Sequence, residues 1–383
     1  MTEVHIVEAL RTPMGRIQGS LSEIHPVDLA AHMLTGLIER ANINPGCVDD
    51  VIFGCIDQVG AQGANIARNS WLAAGLPDHV PAVTIDRQCG SSQQAVHFAA
   101  QGILAGSYDV AIAAGVESMS CVPLGIAWEG GPDLGVGYPF EATKWVERFG
   151  SSEVHQFLAA DLIADKWDLG GEQMATFAAE SHRRSAAARE SGYFDREILP
   201  VGDFARDETI RPDTTAEVIA GLRPLVEGSR ISIGAASQVA DGASGVVLAS
   251  DEAVRRLGLA SLGVIRGMTA VGSDPTLMLT GPIPATQKLL KRAGLEIGDI
   301  DLFEVNEAFA SVVLAWAAET GARLDKTNVN GGAISLGHAL GCTGTRLLTT
   351  LVHELHRREA RWGVETVCEG GGLANATLIE RVS

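Results

Sequence analysis

The sequence predicts an α/β protein built from two similar halves. Short buried strand patterns alternate with amphipathic helix patterns, which indicates parallel βαβ units. One such unit also occurs twice, because residues 39–49 resemble residues 291–301. Each copy ends an amphipathic helix, turns at a glycine (Gly46 or Gly298) and enters a strand.

The elements of the first half follow from hydrophobic spacing and from glycine and proline punctuation. A helix pattern places apolar side chains about 3.6 residues apart, and a buried strand is a short apolar run. We predict strands near residues 5–7, 51–55, 82–85 and 109–114, and helices near residues 26–41 and 66–74 and from residue 91 onward.

A composition shift near Cys121 predicts an insertion. Residues 121–230 are richer in aromatic and charged residues, and they contain two helix patterns, near residues 158–167 and 171–190. Regular alternation resumes near Ile231, and the second half contains strand patterns at residues 302–305 and 365–367. We therefore predict a first half (1–118 and 241–262), an inserted loop domain that covers the site (119–240) and a second half (263–383).

Composition narrows the function classes. With 383 residues, the chain is long enough for two or three domains and a large core. A net charge of −18 argues against nucleic acid and against an anionic membrane surface as partners. The six cysteines form no CxxC pair or disulfide framework, and no apolar run is long enough to span a membrane or act as a secretion signal. We expect free thiols and a cytoplasmic location.

Three glycine-rich segments, residues 87–93, 331–338 and 367–372, carry the candidate chemistry. Cys89 stands between a predicted strand and a predicted helix, whose N-terminal N–H groups are expected to stabilise a thiolate. A single cysteine is usually a small buried hydrophobe. The glycine and serines that follow Cys89 favour an exposed elbow instead.

The other two segments and one further motif add a base, a second thiol and an amide. His338 lies in a loop with several glycines, which predicts an exposed base. Cys368 opens a triple-glycine turn whose N–H groups can bind an oxyanion. Asn306 follows a strand, and its amide can orient a water or a carbonyl, cap a helix, or do both.

Patterns for other chemistries are incomplete. Residues 341–346 resemble a phosphate loop without its Gly-Lys-Ser/Thr ending, and residues 242–245 lack the last glycine of a serine-hydrolase elbow. His353 and His356 lack the spacing of a zinc motif, and we expect them on a solvated helix face. The sequence predicts no metal site.

Together, these motifs resemble those of the thiolase family, over nearly the whole chain. The resemblance implies a five-layer α-β-α-β-α fold of two similar halves with an inserted loop domain, usually as a homodimer or homotetramer. The matching segments are residues 87–93, 115–119, 237–242, 306–309, 331–341 and 368–372.

The resemblance also implies roles for individual residues. Cys89 would take the acyl group, and His338 would activate it. With a water held by Asn306, His338 would also bind the thioester oxygen of the enolate. Cys368 would exchange the proton at the acetyl carbon and activate CoA. The backbone N–H groups of Cys89 and Gly370 would hold the oxygen of the covalent intermediate.

Coenzyme A and acyl-CoA are the implied substrates, with no further cofactor. Arg211 and Ser237 match positions that contact CoA, and Ala308 and Phe309 would line the pantetheine channel. Phe157 would shape the acyl pocket. The chemistry agrees, since cleavage of a 3-ketothioester requires a nucleophile, an oxyanion site and an acid.

Departures from the family pattern bear on the substrate. Ala339 replaces the usual proline, and Glu369 stands where apolar residues are common. Residues 92–93 and 156–157 favour a degradative 3-ketoacyl-CoA thiolase of the fatty-acid β-oxidation type over an acetyl-CoA acetyltransferase that makes acetoacetyl-CoA. A decarboxylating ketoacyl synthase pairs its cysteine with two His or with His and Asn, so Cys368 argues against it. A non-catalytic CoA-binding protein would not need all three reactive side chains.

Overall fold

The computed structural model describes residues 2–150 and 155–382. Its strands are β1 (Val4–Arg11), β2 (Gly15–Arg16), β3 (Asp50–Gly54), β4 (Ala82–Ile85), β5 (Val110–Ser118), β6 (Ala240–Ser250), β7 (Gly263–Gly272), β8 (Leu302–Val305), β9 (Trp362–Glu369) and β10 (Leu373–Glu380).

The helices include long layer-forming elements and several short ones in the segment between β5 and β6. They are α1 (Pro26–Ala41), α2 (Ile66–Ala73), α3 (Ser91–Leu104), α4 (Ile126–Glu129), α5 (Thr143–Phe149), α6 (Gln156–Lys166), α7 (Gly171–Glu190), α8 (Ala216–Ala220), α9 (Asp251–Leu257), α10 (Pro282–Ala293), α11 (Ala310–Thr320), α12 (Ala333–Leu336) and α13 (Thr343–Arg357).

The strands follow the order β4-β3-β5-β6-β1-β7-β10-β9-β8, with β2 beside β6. In the first half, β3 and β5 are parallel, and β6 and β1 follow antiparallel. In the second half, β8 and β9 are parallel, and β10 and β7 follow antiparallel. The halves meet where His5 and Ile6 of β1 pair with β7. This arrangement is the structural form of the repeat seen in the sequence.

The layers explain the apolar patterns. Helices α1 and α2 cover the outer face of the first half, and α10 and α11 cover the outer face of the second. Helices α3 and α13 lie between the halves and pack on strands of both. The result is the predicted five-layer α-β-α-β-α fold. Because α3 and α13 are covered on both sides, the residues just before their N-terminal ends, 89–90 and 339–342, are buried as well.

The repeated segment ends its helix in the same way in both halves. Helix α1 is followed by Asn42 and α10 by Gly294, and both residues have left-handed backbone geometry, with φ of 52° and 70°. Glycine and asparagine are the residues that tolerate this conformation at a helix end. Each copy of the repeated segment then forms a short 3₁₀ turn and enters β3 or β8.

The segment between β5 and β6 is mostly helical and irregular, as expected for the insertion. Helices α6 and α7 match the two predicted helices, and α7 has the predicted bounds. The boundaries 119–240, 1–118 with 241–262, and 263–383 stay predictions. Across the described ranges, no helix is long and apolar enough to cross a membrane.

The prediction for His353 and His356 is wrong. Both rings lie partly buried on α13, and their Nε2 atoms hydrogen-bond to the carbonyl oxygens of Ala9 (2.9 Å) and Leu262 (2.5 Å). The histidines face the first half because α13 is a central helix. Within residues 2–150 and 155–382, no group of three or more His, Cys, Asp or Glu side chains could hold a metal ion.

Candidate active site

Four predicted residues lie on loops or strand ends at the boundary between the halves. Cys89 precedes α3, Asn306 follows β8, His338 follows α12, and Cys368 is the penultimate residue of β9. All four are buried. Because β8 and β9 are parallel neighbours, Asn306 and Cys368 emerge at the same edge of the sheet.

A tight turn fixes Cys89. Gln88 has left-handed geometry (φ 49°). The Ser91 hydroxyl closes the turn, because its Oγ accepts from the Arg87 N–H (2.9 Å) and donates to the Gln88 carbonyl (2.6 Å). Cys89 is only 8% exposed, so the predicted exposed elbow is wrong. The turn holds the thiol in an enclosed site between the two halves.

Cys89 is not a thiolate at rest. Burial raises the pKa of Cys89 to about 12, and the negative form of the nearby Glu369 carboxyl adds to the increase. The backbone N–H groups of Cys89 and Gly370 face the sulfur and lower its pKa, but burial outweighs them. Cys89 is therefore a neutral thiol at rest, and a base must remove its proton before it can attack.

His338 can act as that base. Its ring is 5% exposed rather than openly accessible as predicted, and burial together with the charge of Arg346 lowers its pKa to about 3. The imidazole is thus neutral. Its Nδ1 lies 2.6 Å from the Thr343 hydroxyl, which itself donates to the Ala339 carbonyl (2.9 Å).

This chain of hydrogen bonds selects the tautomer. Since the Thr343 hydroxyl proton is used on the Ala339 carbonyl, the hydroxyl oxygen must accept from Nδ1–H of His338. Nε2 is then the unprotonated nitrogen, and it lies 3.3 Å from Nδ2 of Asn306. The orientation leaves a basic nitrogen beside the reactive side chains.

Asn306 lies between His338 and Cys368. Its side chain hydrogen-bonds to both the imidazole and the Cys368 thiol, and its backbone N–H donates to the Thr366 carbonyl (3.0 Å). It does not cap a helix, because α11 begins only at Ala310. Cys368 itself is fully buried, and burial followed by the neighbouring Cys89 raises its pKa well above the usual range.

Sequence reasoning missed the supports of the His338 loop. The buried Glu117 carboxyl accepts hydrogen bonds from the backbone N–H of Gly341 (2.9 Å), from the N–H of Ile56 (3.0 Å) and from Nε2 of Gln62 (2.7 Å). Glu117 thereby holds the loop against the first half. A charged residue inside the otherwise apolar strand β5 was the signal that could have revealed it.

Glu307 supports the other end of the same loop. Its carboxyl accepts from the Ile334 N–H (3.1 Å), from the Ser181 hydroxyl (2.7 Å) and from the Asn328 amide (2.9 Å). Ser181 belongs to α7 in the segment between β5 and β6. That segment is therefore tied directly to the loop that carries His338.

The predicted substrate contacts divide into two groups. Phe157 and Phe309 meet edge to face at 5.9 Å and belong to the same apolar cluster as Ala308 and Cys368. The backbone N–H of Ser237 donates to the Ala308 carbonyl (2.9 Å). These residues form an apolar wall beside the second thiol.

Arg211 lies near the outer end of this region. Its guanidinium is exposed, and it donates to Oε1 of Gln238 (3.2 Å). The carbonyl of Gln238 accepts from the His338 N–H (2.8 Å). Arg211 thus offers an accessible positive charge close to the loop that carries His338, which suits a phosphate-bearing ligand.

Known proteins are similar to this chain in both sequence and fold. Residues 4–252 match the thiolase N-terminal domain, and residues 259–381 match the thiolase C-terminal domain. A steroid 3-ketoacyl-CoA thiolase, FadA6 of Mycobacterium tuberculosis, is 50% identical, over 100% of this chain and 95% of that protein. A 3-ketoacyl-CoA thiolase of Serratia proteamaculans is 41% identical, with both chains fully covered.

Two solved structures superpose closely. An acetyl-CoA acetyltransferase of Bacillus anthracis has a TM-score of 0.91 and 36% identity, over 100% of this chain and 99% of that one. Human mitochondrial 3-ketoacyl-CoA thiolase, solved with CoA, has a TM-score of 0.89 and 35% identity, over 100% and 98%. The chain belongs to the thiolase family.

Proposed function

We propose that the protein is a degradative thiolase, which uses CoA to cleave a 3-ketoacyl-CoA into acetyl-CoA and a shortened acyl-CoA. The observation that carries the proposal is the buried group of Cys89, His338, Asn306 and Cys368, in which a neutral imidazole directs its unprotonated Nε2 toward Asn306. The names of the relatives support the same substrate class.

The first half-reaction begins with proton transfer from Cys89 to Nε2 of His338. The thiolate attacks the 3-keto carbon, and the N–H groups of Cys89 and Gly370, which face the sulfur, would hold the oxyanion. The bond between C2 and C3 then breaks. It leaves an acyl group on Cys89 and an acetyl-CoA enolate, whose oxygen accepts from His338 Nε2–H and from a water held by Asn306.

Cys368 completes the proton balance. Its thiol gives a proton to C2 of the enolate, which releases acetyl-CoA and leaves a thiolate. That thiolate removes the proton of an incoming CoA thiol, and the CoA sulfur displaces the acyl group from Cys89. The released Cys89 thiolate takes back the proton that His338 has held. Burial keeps both protein thiols protonated at rest, so each charge exists only while the reaction requires it.

The acyl preference is proposed to depend on Phe157. This ring packs on Phe309 within the apolar cluster that contains Cys368. Removing it should enlarge the pocket, and each methylene in an apolar pocket changes binding by roughly 1 kcal/mol, or several-fold to tenfold in rate. We expect Phe157→Ala to shift the ratio of kcat/KM about tenfold toward bulky esters.

The experiment is thiolysis of a ladder of 3-ketoacyl-CoA esters that runs from acetoacetyl-CoA through longer chains to a ring-derived ester. Leu158→Ala is the matched control, because Leu158 is 53% exposed on the same helix. Failure to cleave any ester would contradict the degradative proposal. A constant ratio with a uniform loss of activity would show that Phe157 only supports the fold.

Coenzyme A contacts and assembly are part of the same proposal. We assign the CoA phosphates to Arg211 and the pantetheine arm to Ser237, Ala308 and Phe309.

A homodimer or homotetramer is supported by β4, an edge strand, together with partly exposed apolar side chains at Val83 (42%) and Phe98 (41%). Light scattering coupled to gel filtration tests the assembly. The cytoplasmic location stays a prediction.

A further inference from the structure

Glu369 is a buried carboxyl whose surroundings do not satisfy it. It directly follows Cys368 at the end of β9, and its side chain is fully buried. Within the described residues, neither carboxyl oxygen has a hydrogen-bond partner. Glu117, equally buried, differs because several N–H groups donate to it. An unsatisfied buried carboxyl needs a physical explanation.

The carboxyl lies against the turn that carries the nucleophile. Side chains alternate along a strand, so Glu369 points to the opposite face of β9 from Cys368. A Cβ atom added to Gly90 would lie 1.9 Å from Oε1 of Glu369. The carboxyl therefore fills the space that a side chain at position 90 would need, one residue after Cys89. Only glycine fits beside it.

Few charged groups face this carboxyl. Arg87 attracts its negative form, Asp86 repels it, and the backbone N–H of Asn375 points toward it without forming a hydrogen bond of normal geometry. Burial is the largest influence and raises the pKa of Glu369 to about 8. The side chain is thus a neutral acid near pH 7. Its negative form would raise the pKa values of both Cys89 and Cys368.

We propose that Glu369 is an electrostatic gate on the cysteine pair. Protonated Glu369 permits thiolate formation at Cys89, and ionised Glu369 opposes thiolate formation there. Glu369 exchanges its proton with solvent and takes part in no bond change of the acyl transfer. It is a positioning residue, acting through the two thiols. Any effect of Glu369 on thiolase turnover rests on the proposed function, whereas its effect on thiolate formation at Cys89 does not.

The test follows alkylation of Cys89 by iodoacetamide from pH 6 to pH 10, resolved from the other cysteines by peptide mass spectrometry. In the wild type, the rate should rise with pH and then flatten as Glu369 ionises near pH 8. In Glu369→Gln, it should keep rising. The alkylation rates of the wild type and of Glu369→Gln should agree within about twofold below pH 7. They should differ about tenfold by pH 10, as a difference of about one unit in the pKa of Cys89 implies.

Two further variants sharpen the test. Glu369→Val removes the titrating group in another way and should also abolish the flattening. Glu365→Gln is the matched control, since Glu365 is also buried on the same face of β9 and has no partner for either oxygen among the described residues. It should retain the wild-type profile. Thermal unfolding followed by circular dichroism confirms that each variant is folded.

Several results would overturn the proposal. A wild-type profile with no flattening near pH 8 would refute the proposal by itself, whether or not the variants fold. Parallel wild-type and Glu369→Gln curves at every pH would assign Glu369 a packing role. Loss of the flattening in Glu365→Gln would show that the gating role does not belong to Glu369. Because the assay uses no thioester, a negative result here is distinct from failure of the thiolase proposal.

Discussion

The hydroxyl of Thr343 decides which nitrogen of His338 is basic, and removing it should impair catalysis more than folding. Thr343→Val keeps the side-chain shape but deletes the 2.6 Å contact to Nδ1 and the 2.9 Å bond to the Ala339 carbonyl. An orphaned buried donor costs about 1–3 kcal/mol. If this cost falls mainly on the transition state, kcat should drop roughly 10- to 100-fold, at 1.4 kcal/mol per tenfold.

The assay is steady-state thiolysis of acetoacetyl-CoA, with kcat and KM measured separately. KM should change little, because Thr343 contacts the imidazole and is assigned no substrate contact. Thr343→Ser should restore most of kcat, since it returns the hydroxyl. Thr349→Val is the control, as it removes a buried hydroxyl from the same helix whose bond goes to the Thr345 carbonyl (2.7 Å).

The tautomer assignment would be refuted by a Thr343→Val enzyme with near-normal kcat. It would also be refuted if Thr343→Val and Thr349→Val lost activity equally, because the loss would then reflect destabilisation of α13. A pH-independent fall in kcat that Thr343→Ser reverses is the expected signature.

Two further perturbations test separate parts of the site. Cys368→Ser should still form acyl-enzyme in mass spectra but lose turnover by about 10² or more, the scale of a lost acid–base group; near-normal turnover would contradict its role. Glu117→Gln places an amide N–H₂ among the backbone donors of Ile56 and Gly341, so it should lower the free energy of unfolding by about 3 kcal/mol. Urea unfolding, with the exposed Glu23→Gln as control, measures this, and equal stability would show that the donors find other partners.

Strong local patterns made much of the fold predictable. The strands at Ala82–Ile85 and Leu302–Val305 and the helix Gly171–Glu190 have the predicted bounds. Each is a continuous run of one periodicity, ended by residues that favour turns. The repeat was visible because each copy ends an amphipathic helix, turns at Gly46 or Gly298 and enters a strand. The structure adds that Asn42 and Gly294 end the two helices in left-handed geometry.

Burial at the site was not predictable from local sequence. The loops around Cys89 and His338 are rich in glycine and appeared exposed, yet they lie between the two halves, where long-range packing excludes water. That burial keeps both thiols and the imidazole neutral. The support from Glu117 also depends on a contact between segments far apart in the chain, whereas Thr343 lies only five residues after His338.

The central claim is that Cys89 carries the acyl group after His338 takes its proton. The most direct measurement is mass spectrometry of peptides after brief incubation with acetoacetyl-CoA and rapid acid quench. The account predicts an added acetyl mass on the peptide containing Cys89, absent in Cys89→Ala and retained in Cys368→Ser. Acylation of Cys368 instead, or unchanged labelling in Cys89→Ala, would contradict it.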